Sequence, residues 1–156
     1  MPRFGKVPKR DVPADPIYGS VLLQKFINKL MLGGKKTKAE QVVYGALAEV
    51  QEKLKKPALE VFEKALDNIT PLLQIKARRV GGATYQVPME IPRARGQAQA
   101  IQWIRDFCRE KSGKSMSEKL AAELIDAFNG TGGAMKKKED LHKTAEANKA
   151  FAHFRW

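Results

Sequence analysis

Residues 74–91 read QIKARRVGGATYQVPMEI, and they decide what kind of fold this chain adopts. Apolar and polar side chains alternate on both sides of Gly81 and Gly82, whereas most of the remaining sequence follows a helical period. Two glycines between alternating arms predict a β-hairpin, because the favoured two-residue turns need positive φ angles that glycine adopts at little cost. We therefore expect a two-stranded antiparallel ribbon at about residues 72–91.

The alternation also assigns side chains to the two faces of the ribbon. One face is expected to be apolar and to pack at its base against helices, because an isolated two-stranded ribbon is only marginally stable in water. The tip of the ribbon is expected to project from the body. The expected apolar face consists of Leu73, Ile75, Ala77, Tyr85, Val87, Met89 and Ile91, and the opposite face of Gln74, Lys76, Arg78, Thr84, Gln86 and Glu90.

Apolar residues at helical spacing predict six helices. Ser20 and Ser115 are typical N-caps, and Ser115 is followed by Glu118 in the pattern of a capping box. The predicted fold class is mainly α: a six-helix single domain (residues 16–156) with one protruding two-stranded antiparallel β-hairpin and a flexible basic N-terminal arm (residues 1–15). The expected helices run from Ser20 to about Gly33, Ala39 to Leu54, Pro57 to Asn68, Gly96 to Glu110, Ser115 to Phe128 and Glu139 to Ala152.

The charge balance limits the classes of partner. The 156 residues include 29 Lys and Arg against 17 Asp and Glu, which gives a formal net charge of +12. Such a surplus repels itself in a compact chain unless a polyanion neutralises it, so nucleic acid is the first candidate partner and an anionic membrane surface the second. No apolar run is long enough to cross a bilayer, and the N-terminus lacks the apolar core of a signal peptide. We expect a cytoplasmic protein with no membrane partner.

The basic residues form four clusters. Arginine offers a planar fork to phosphate and lysine a point charge, so the four clusters together predict an extended nucleic-acid surface, although any one of them could be an ordinary solvated face. The residues alone do not separate RNA from DNA, and a DNA-binding architectural protein that uses a basic β-ribbon stays an alternative. The clusters are the arm (Arg3, Lys6, Lys9, Arg10), Lys35 to Lys38, the ribbon's Lys76 to Arg79 with Arg93 and Arg95, and Lys136 to Lys138.

Nothing in the sequence indicates catalysis, a metal site, a cofactor or a small-molecule substrate. Cys108 falls on the apolar face of a predicted helix and is expected to be an inert core thiol. His142 and His153 are too far apart for a helical metal pair and are expected to be exposed. Trp103 is expected to pack in the core, and a role in base stacking stays open for the C-terminal aromatic residues.

Several long segments of the sequence resemble the small-subunit ribosomal protein S-seven family, in its bacterial or organellar form. Residues 78–88 (RRVGGATYQVP) and residues 145–156 (AEANKAFAHFRW) carry the strongest likeness. Residues 15–19 (DPIYG) and 26–31 (FINKLM) agree as well, so the resemblance covers nearly the whole chain in order. The chain departs from the family where Gly96 follows Arg95 and Gln102 precedes Trp103, positions at which the family often has arginine.

The resemblance implies a function as well as a fold. It implies a structural, non-enzymatic component of the small ribosomal subunit that binds the 3′ major (head) domain of 16S rRNA first and nucleates head assembly. It implies a ribbon near the E-site tRNA and the mRNA exit path, neighbours among head and platform ribosomal proteins, and in some bacteria binding to its own mRNA.

The resemblance also assigns residues to these contacts. The ribbon tip, Gly81 and Gly82, is expected near tRNA. The rRNA contacts are expected from Arg3, Lys6, Lys9, Arg10, Lys35, Lys36, Lys76, Arg78 and Arg79, with Arg95, Lys136, Lys137 and Lys138 extending the surface.

Overall fold

The computed structural model describes Gly5 and residues 10–154, and in this part of the chain the predicted mainly α fold with one antiparallel hairpin is confirmed. Both strands are as long as the alternation predicted, and a short 3-10 helix follows the last α-helix. The elements are α1 (Val21–Leu30), α2 (Lys36–Leu54), α3 (Ala58–Ile69), β1 (Leu73–Val80), β2 (Ala83–Glu90), α4 (Arg93–Glu110), α5 (Met116–Phe128), α6 (Gly133–Ala147) and the C-terminal 3-10 helix (Lys149–Phe154).

Local sequence explains where two of the helices begin. The Ser20 hydroxyl accepts a hydrogen bond from the Leu23 N–H at 3.4 Å, and the Ser115 hydroxyl accepts one from the Glu118 N–H at 3.3 Å. Both predicted N-caps are therefore confirmed. The Glu118 carboxylate accepts from the Ser115 hydroxyl at 2.7 Å, and not from the Ser115 backbone N–H as the reciprocal bond of a capping box would require.

Helix α5 is the centre of the helical packing, because α2, α3, α4 and α6 all contact it. Its buried apolar stripe consists of Leu120, Ala121, Leu124 and Ala127. In the same core, Phe26 of α1 meets Phe62 of α3 edge to face, with ring centroids 5.3 Å apart. Trp103 is 5% exposed, which confirms its predicted packing. Cys108 is also buried, and burial raises its pKa to about 12, so the side chain is the inert thiol that the sequence predicted.

One buried acidic residue joins three helices. Glu123 of α5 is fully buried, and its carboxylate accepts from the Lys111 ammonium at 2.6 Å and from the Ala134 N–H at 2.9 Å. Lys111 follows α4 and Ala134 lies in the first turn of α6, so the carboxylate ties both to α5. The pKa of Lys111 is raised, chiefly because the ammonium donates to Glu123.

The same carboxylate explains why α6 begins earlier than predicted. The sequence predicted a helix from Glu139 to Ala152, whereas α6 spans Gly133–Ala147. Glu123 satisfies an N–H group of the first turn, which local sequence offers no side chain to do. Gly132, at φ 102°, is the N-cap, and a Cβ there would lie 3.1 Å from the Glu123 Oε1.

Helices α2 and α4 also begin a few residues before their predicted starts at Ala39 and Gly96. Pro92 precedes α4 with φ −57°, a value already suited to a helix, and its carbonyl accepts from the Gly96 N–H at 3.0 Å. Gly96 is needed where it stands, because a Cβ at this position would lie 2.8 Å from the Pro71 carbonyl oxygen. Lys36, Lys38, Arg93 and Arg95 therefore lie within helices, and Lys35 is the N-cap residue of α2.

The predicted assignment of side chains to the two faces of the ribbon was wrong, because the residues of β2 are shifted by one position relative to those of β1. A two-residue loop pairs Val80 with Ala83, so odd-numbered residues of β1 share a face with even-numbered residues of β2. Leu73, Ile75 and Ala77 therefore lie on the face of Gln86, Pro88 and Glu90, and not on that of Tyr85, Val87 and Met89. On the second face, Gln74, Lys76 and Arg78 lie opposite Met89, Val87 and Tyr85.

The C-terminal elements contact the ribbon along most of its length, from Leu72 at its base to Tyr85, the third residue after the turn. Val87 is fully buried, and the Tyr85 ring lies 5.0 Å from the Phe151 ring and 5.2 Å from the Phe154 ring, centroid to centroid. The His142 Nε2 of α6 accepts from the Leu72 N–H at 3.2 Å, at the point where the chain enters β1. His142 is half-buried rather than exposed as predicted, and burial lowers its pKa.

The last residue of the predicted arm belongs to the helical body. Asp15 is 1% exposed, and its carboxylate accepts from the Tyr44 hydroxyl at 2.6 Å and from the Tyr18 N–H at 2.9 Å. Burial and the hydrogen bond to Asp15 raise the pKa of Tyr44. The chain therefore enters α1 from a fixed point.

The ion pair between buried Glu123 and the partly exposed Lys111 leads to a ranked stability prediction. We expect Lys111→Met to destabilise the protein by about 3 kcal/mol or more, because it leaves the Glu123 carboxylate buried without its cation. Glu123→Gln should cost about 1–2 kcal/mol, since the amide oxygen still accepts from Ala134 and Lys111 can turn to solvent. Urea unfolding followed by circular dichroism measures both. The exposed pair variant Lys53→Met is the control, and a smaller cost for Lys111→Met than for Glu123→Gln would contradict the account.

The tip of the ribbon makes a second prediction. Gly81 has φ +57°, so Gly81→Val should strain the turn by about 1–2 kcal/mol and spread the strand ends. Gly81→Asn should leave the hairpin intact, because asparagine tolerates this conformation. The NMR contacts between Val80 and Ala83 across the two strands show whether the hairpin is intact. Equal spectra for the two variants would refute a turn that requires positive φ at Gly81.

Candidate nucleic-acid interface

The ribbon presents cations on both of its faces. Lys76 and Arg78 lie opposite Val87 and Tyr85, on the face that the C-terminal aromatic residues contact, whereas Arg79 lies on the other face beside Thr84. Arg79 and Lys76 are exposed, and within residues 10–154 neither forms an ion pair. Arg78 is half-buried. The predicted ribbon cluster therefore divides into two sets that can contact separate parts of a polyanion.

The two tip glycines project as the sequence predicted. Gly81 and Gly82 both have positive φ, and no heavy atom of the described structure beyond their chain neighbours lies within 4 Å of the position a Cβ would take at either residue. The turn is therefore narrow and leaves its backbone open to a close approach by another molecule.

The lysines of residues 35–38 lie at the start of α2. Lys35 is the N-cap residue but its side chain makes no capping bond, and the first turn contains no acidic residue. Lys36 pairs with Glu40 at 3.5 Å, and Lys35 and Lys38 are exposed without an ion pair among the described residues. Cations beside the free N–H groups of a helix start are unfavourable by themselves, and a bound anion relieves them.

The start of α4 has the same composition. Arg93 pairs with Asp67 of α3 at 3.1 Å, while Arg95 is exposed and forms no ion pair in the described part of the chain. No acidic residue and no side-chain cap occur in this first turn either. Arg95 is therefore the cation of this turn that is available to a phosphate.

The lysines of residues 136–138 do not form the exposed cluster before a helix that the sequence predicted. They lie inside α6, so successive side chains point in different directions. Lys138 is half-buried and donates to the Asn68 carbonyl oxygen at 2.5 Å, and the Lys137 ammonium lies 5.5 Å from the centre of the Phe107 ring. Lys136 is exposed and is the member most open to a ligand.

The basic arm is described only in part. Arg10 is exposed, whereas Arg3, Lys6 and Lys9 lie outside the described residues. Val12, two residues after Arg10, lines a groove between α1 and α4, so the chain reaches this groove just after Arg10.

Sequence reasoning missed two lysines of α1. Lys25 and Lys29 are exposed and line the same groove, opposite Ala94 in the first turn of α4. They add two cations to a groove that Val12 and Ala94 also line. The signal was present in the sequence, because residues four apart on the polar side of a helix share a face.

The described residues offer little support for a metal site or a membrane-spanning helix. Within residues 10–154, no group of three histidine, cysteine, aspartate or glutamate side chains could hold a metal ion. No helix in the described part of the chain is long and apolar enough to cross a membrane. What the described residues do offer is a set of exposed cations on fixed helices and a fixed ribbon.

Comparisons with known proteins agree with the resemblance noted in the sequence. Small ribosomal subunit protein uS7 of Dictyoglomus turgidum is 58% identical to this chain over 156 residues, and the alignment covers the whole of both chains. The proteins of the same name from Pelotomaculum thermopropionicum and Carboxydothermus hydrogenoformans are each 60% identical, again over the whole of both chains.

A family model leads to the same assignment. The model described as ribosomal protein S7p/S5e matches residues 2–149, nearly the whole chain, including the ribbon and all six α-helices. Together with the full-length relatives, this match shows that the chain belongs to the ribosomal protein S7p/S5e family.

Proposed function

We propose that this protein is a structural component of the small ribosomal subunit in the cytoplasm and that it binds 16S rRNA through the surface described above. The observation that carries the proposal is the end-to-end identity of 58–60% with proteins named as small-subunit components. The net charge of +12 supports it independently, because such a surplus suits a protein that is neutralised by RNA.

The proposed binding mode is electrostatic and preorganised. Arg79 and Lys76 on the ribbon, and Lys35 and Arg95 at two helix starts, would contact phosphates from elements that the core already fixes. Little side-chain and backbone freedom is then lost on binding, which favours affinity. The helix starts add unpaired N–H groups, which suit phosphate oxygens. The arm residues Arg3, Lys6, Lys9 and Arg10, with Lys36, Arg78 and Lys136 to Lys138, would extend the contact.

The finer role follows from the family resemblance. We propose that the protein binds the 3′ major (head) domain early and nucleates its assembly, beside neighbouring head and platform proteins. The ribbon tip would lie near the E-site tRNA and the mRNA exit path. Its open glycine backbone supports this proposal, since a turn without side chains can approach tRNA closely. Binding to its own mRNA would use the same surface.

The charge of Arg79 gives a direct test of the proposed surface. We expect Arg79→Gln to weaken binding to a head-domain 16S rRNA transcript and to flatten the plot of log K against log salt concentration by about 0.7–0.9, the loss of one phosphate contact. Its melting temperature should stay unchanged, because the side chain is exposed and unpaired among the described residues. Lys53→Gln is the matched control, since Lys53 lies at the C-terminal end of α2, where it is paired with Glu49 and is not part of the proposed surface. Equal binding by the two variants would exclude Arg79 from the interface.

A competition experiment separates the proposal from the DNA-binding alternative. Filter binding should give nanomolar affinity for the head-domain transcript and far weaker binding to duplex DNA of equal length at the same salt concentration. An RNA-specific surface is expected because the helix starts and the ribbon form a fixed shape that fits a folded RNA, whereas charge alone does not discriminate. Equal affinity for both nucleic acids would favour an architectural DNA-binding protein.

A further inference from the structure

The groove between α1 and α4 is built differently from the rest of the basic surface. Its volume is about 370 Å³, which lies in the range of small-ligand pockets. Its apolar part comes from buried Ile101, half-buried Leu22 and Val12, and the small side chains of Ala94 and Ala98. A flat apolar group can therefore enter between the two helices.

The polar side chains of the groove are of two kinds. Lys25 and Lys29 supply positive charge, and Asn28 and Gln97 supply carboxamide groups. A carboxamide both donates and accepts hydrogen bonds, whereas lysine only donates. The groove thus combines an apolar part, two groups with mixed hydrogen-bonding capacity and two cations.

A buried residue fixes one of the two carboxamides. Gln24 is 1% exposed, and its Nε2 donates to the Asn28 Oδ1 at 3.1 Å. This bond fixes the orientation of the Asn28 carboxamide and uses one lone pair of its oxygen, so its NH₂ group and the second lone pair stay available to a ligand. The Gln24 Oε1 is buried without a hydrogen-bond partner among the described residues, which is costly for a folded protein. The presence of glutamine at this buried position is explained if its role is to orient Asn28.

We propose that this groove binds a single unstacked base of the bound RNA. The base would lie against Leu22, Ala98 and Ile101, its edge would be bonded by Asn28 and Gln97, and Lys25 and Lys29 would contact the flanking phosphates. Mixed donors and acceptors match the edge of a base, whereas an acidic peptide would need donors only. The inference rests on the proposed RNA-binding function and adds to it a site that reads a base.

Filling the groove tests the inference. We expect Ala98→Trp to weaken binding of the head-domain transcript about tenfold, because the indole fills the groove and the base loses its apolar contacts and its edge hydrogen bonds. Base-specific chemical probing should show one nucleotide that the unmodified protein protects and Ala98→Trp leaves reactive. Ala48→Trp is the matched control, since Ala48 is likewise exposed on a helix, here α2, and it should bind and protect normally.

A second variant tests the positioning role of Gln24. Gln24→Leu removes the unpaired buried oxygen and frees Asn28, so it should raise the melting temperature while losing protection of the same nucleotide. A merely structural role would move stability without changing the footprint, and that result would refute the positioning role.

The outcomes separate this inference from the function on which it rests. Normal affinity and an unchanged footprint for Ala98→Trp would overturn the base site and leave the RNA-binding proposal standing. Normal RNA binding with failure to enter reconstituted subunits would assign the groove to a neighbouring protein and also overturn the inference. Failure of the unmodified protein to bind the transcript would instead refute the proposed function.

Discussion

The buried carboxylate of Glu123 is the interaction on which the position of the ribbon depends. It joins Lys111, at the end of α4, to Ala134, in the first turn of α6, across the central helix α5. Helix α6 in turn holds the base of the ribbon through the bond from Leu72 to His142, and Lys138 binds the Asn68 carbonyl near the end of α3. The buried Glu123 carboxylate therefore fixes the start of the helix that contacts the base of the ribbon.

The sequence predicted what local chemistry controls and missed what tertiary contacts control. The hairpin at Gly81 and Gly82 and the caps at Ser20 and Ser115 follow from short-range rules, and all are present. The start of α6 depends on Glu123, which lies eleven residues before Ala134 in the sequence. No local sequence pattern predicts this contact. The ribbon faces could have been predicted, because a two-residue loop by itself fixes which residues pair.

The basic residues of the chain serve two purposes that composition does not distinguish. Lys111, Arg109 and Lys138 bind acceptors inside the protein, namely Glu123, the Leu30 carbonyl and the Asn68 carbonyl. Arg79 and Arg95 are exposed and have no ion pair within the described part of the chain. The first group fixes the shape of the surface and the second provides its charge, so the charge available to RNA is smaller than the count of lysines and arginines suggests. Burial of individual side chains decides the division, and sequence patterns only approximate it.

The central proposal is that this protein binds the 3′ major domain of 16S rRNA with its ribbon held in one fixed position. Directed hydroxyl-radical cleavage tests it, with an iron chelate attached to a cysteine introduced by Ala83→Cys beside the tip. The native Cys108 is buried with a raised pKa and should stay unlabelled, so cleavage reports the tip alone. We predict cuts confined to a few neighbouring sites within the 3′ major domain of 16S rRNA. Cuts scattered over several domains, or none in the 3′ major domain, would contradict the account.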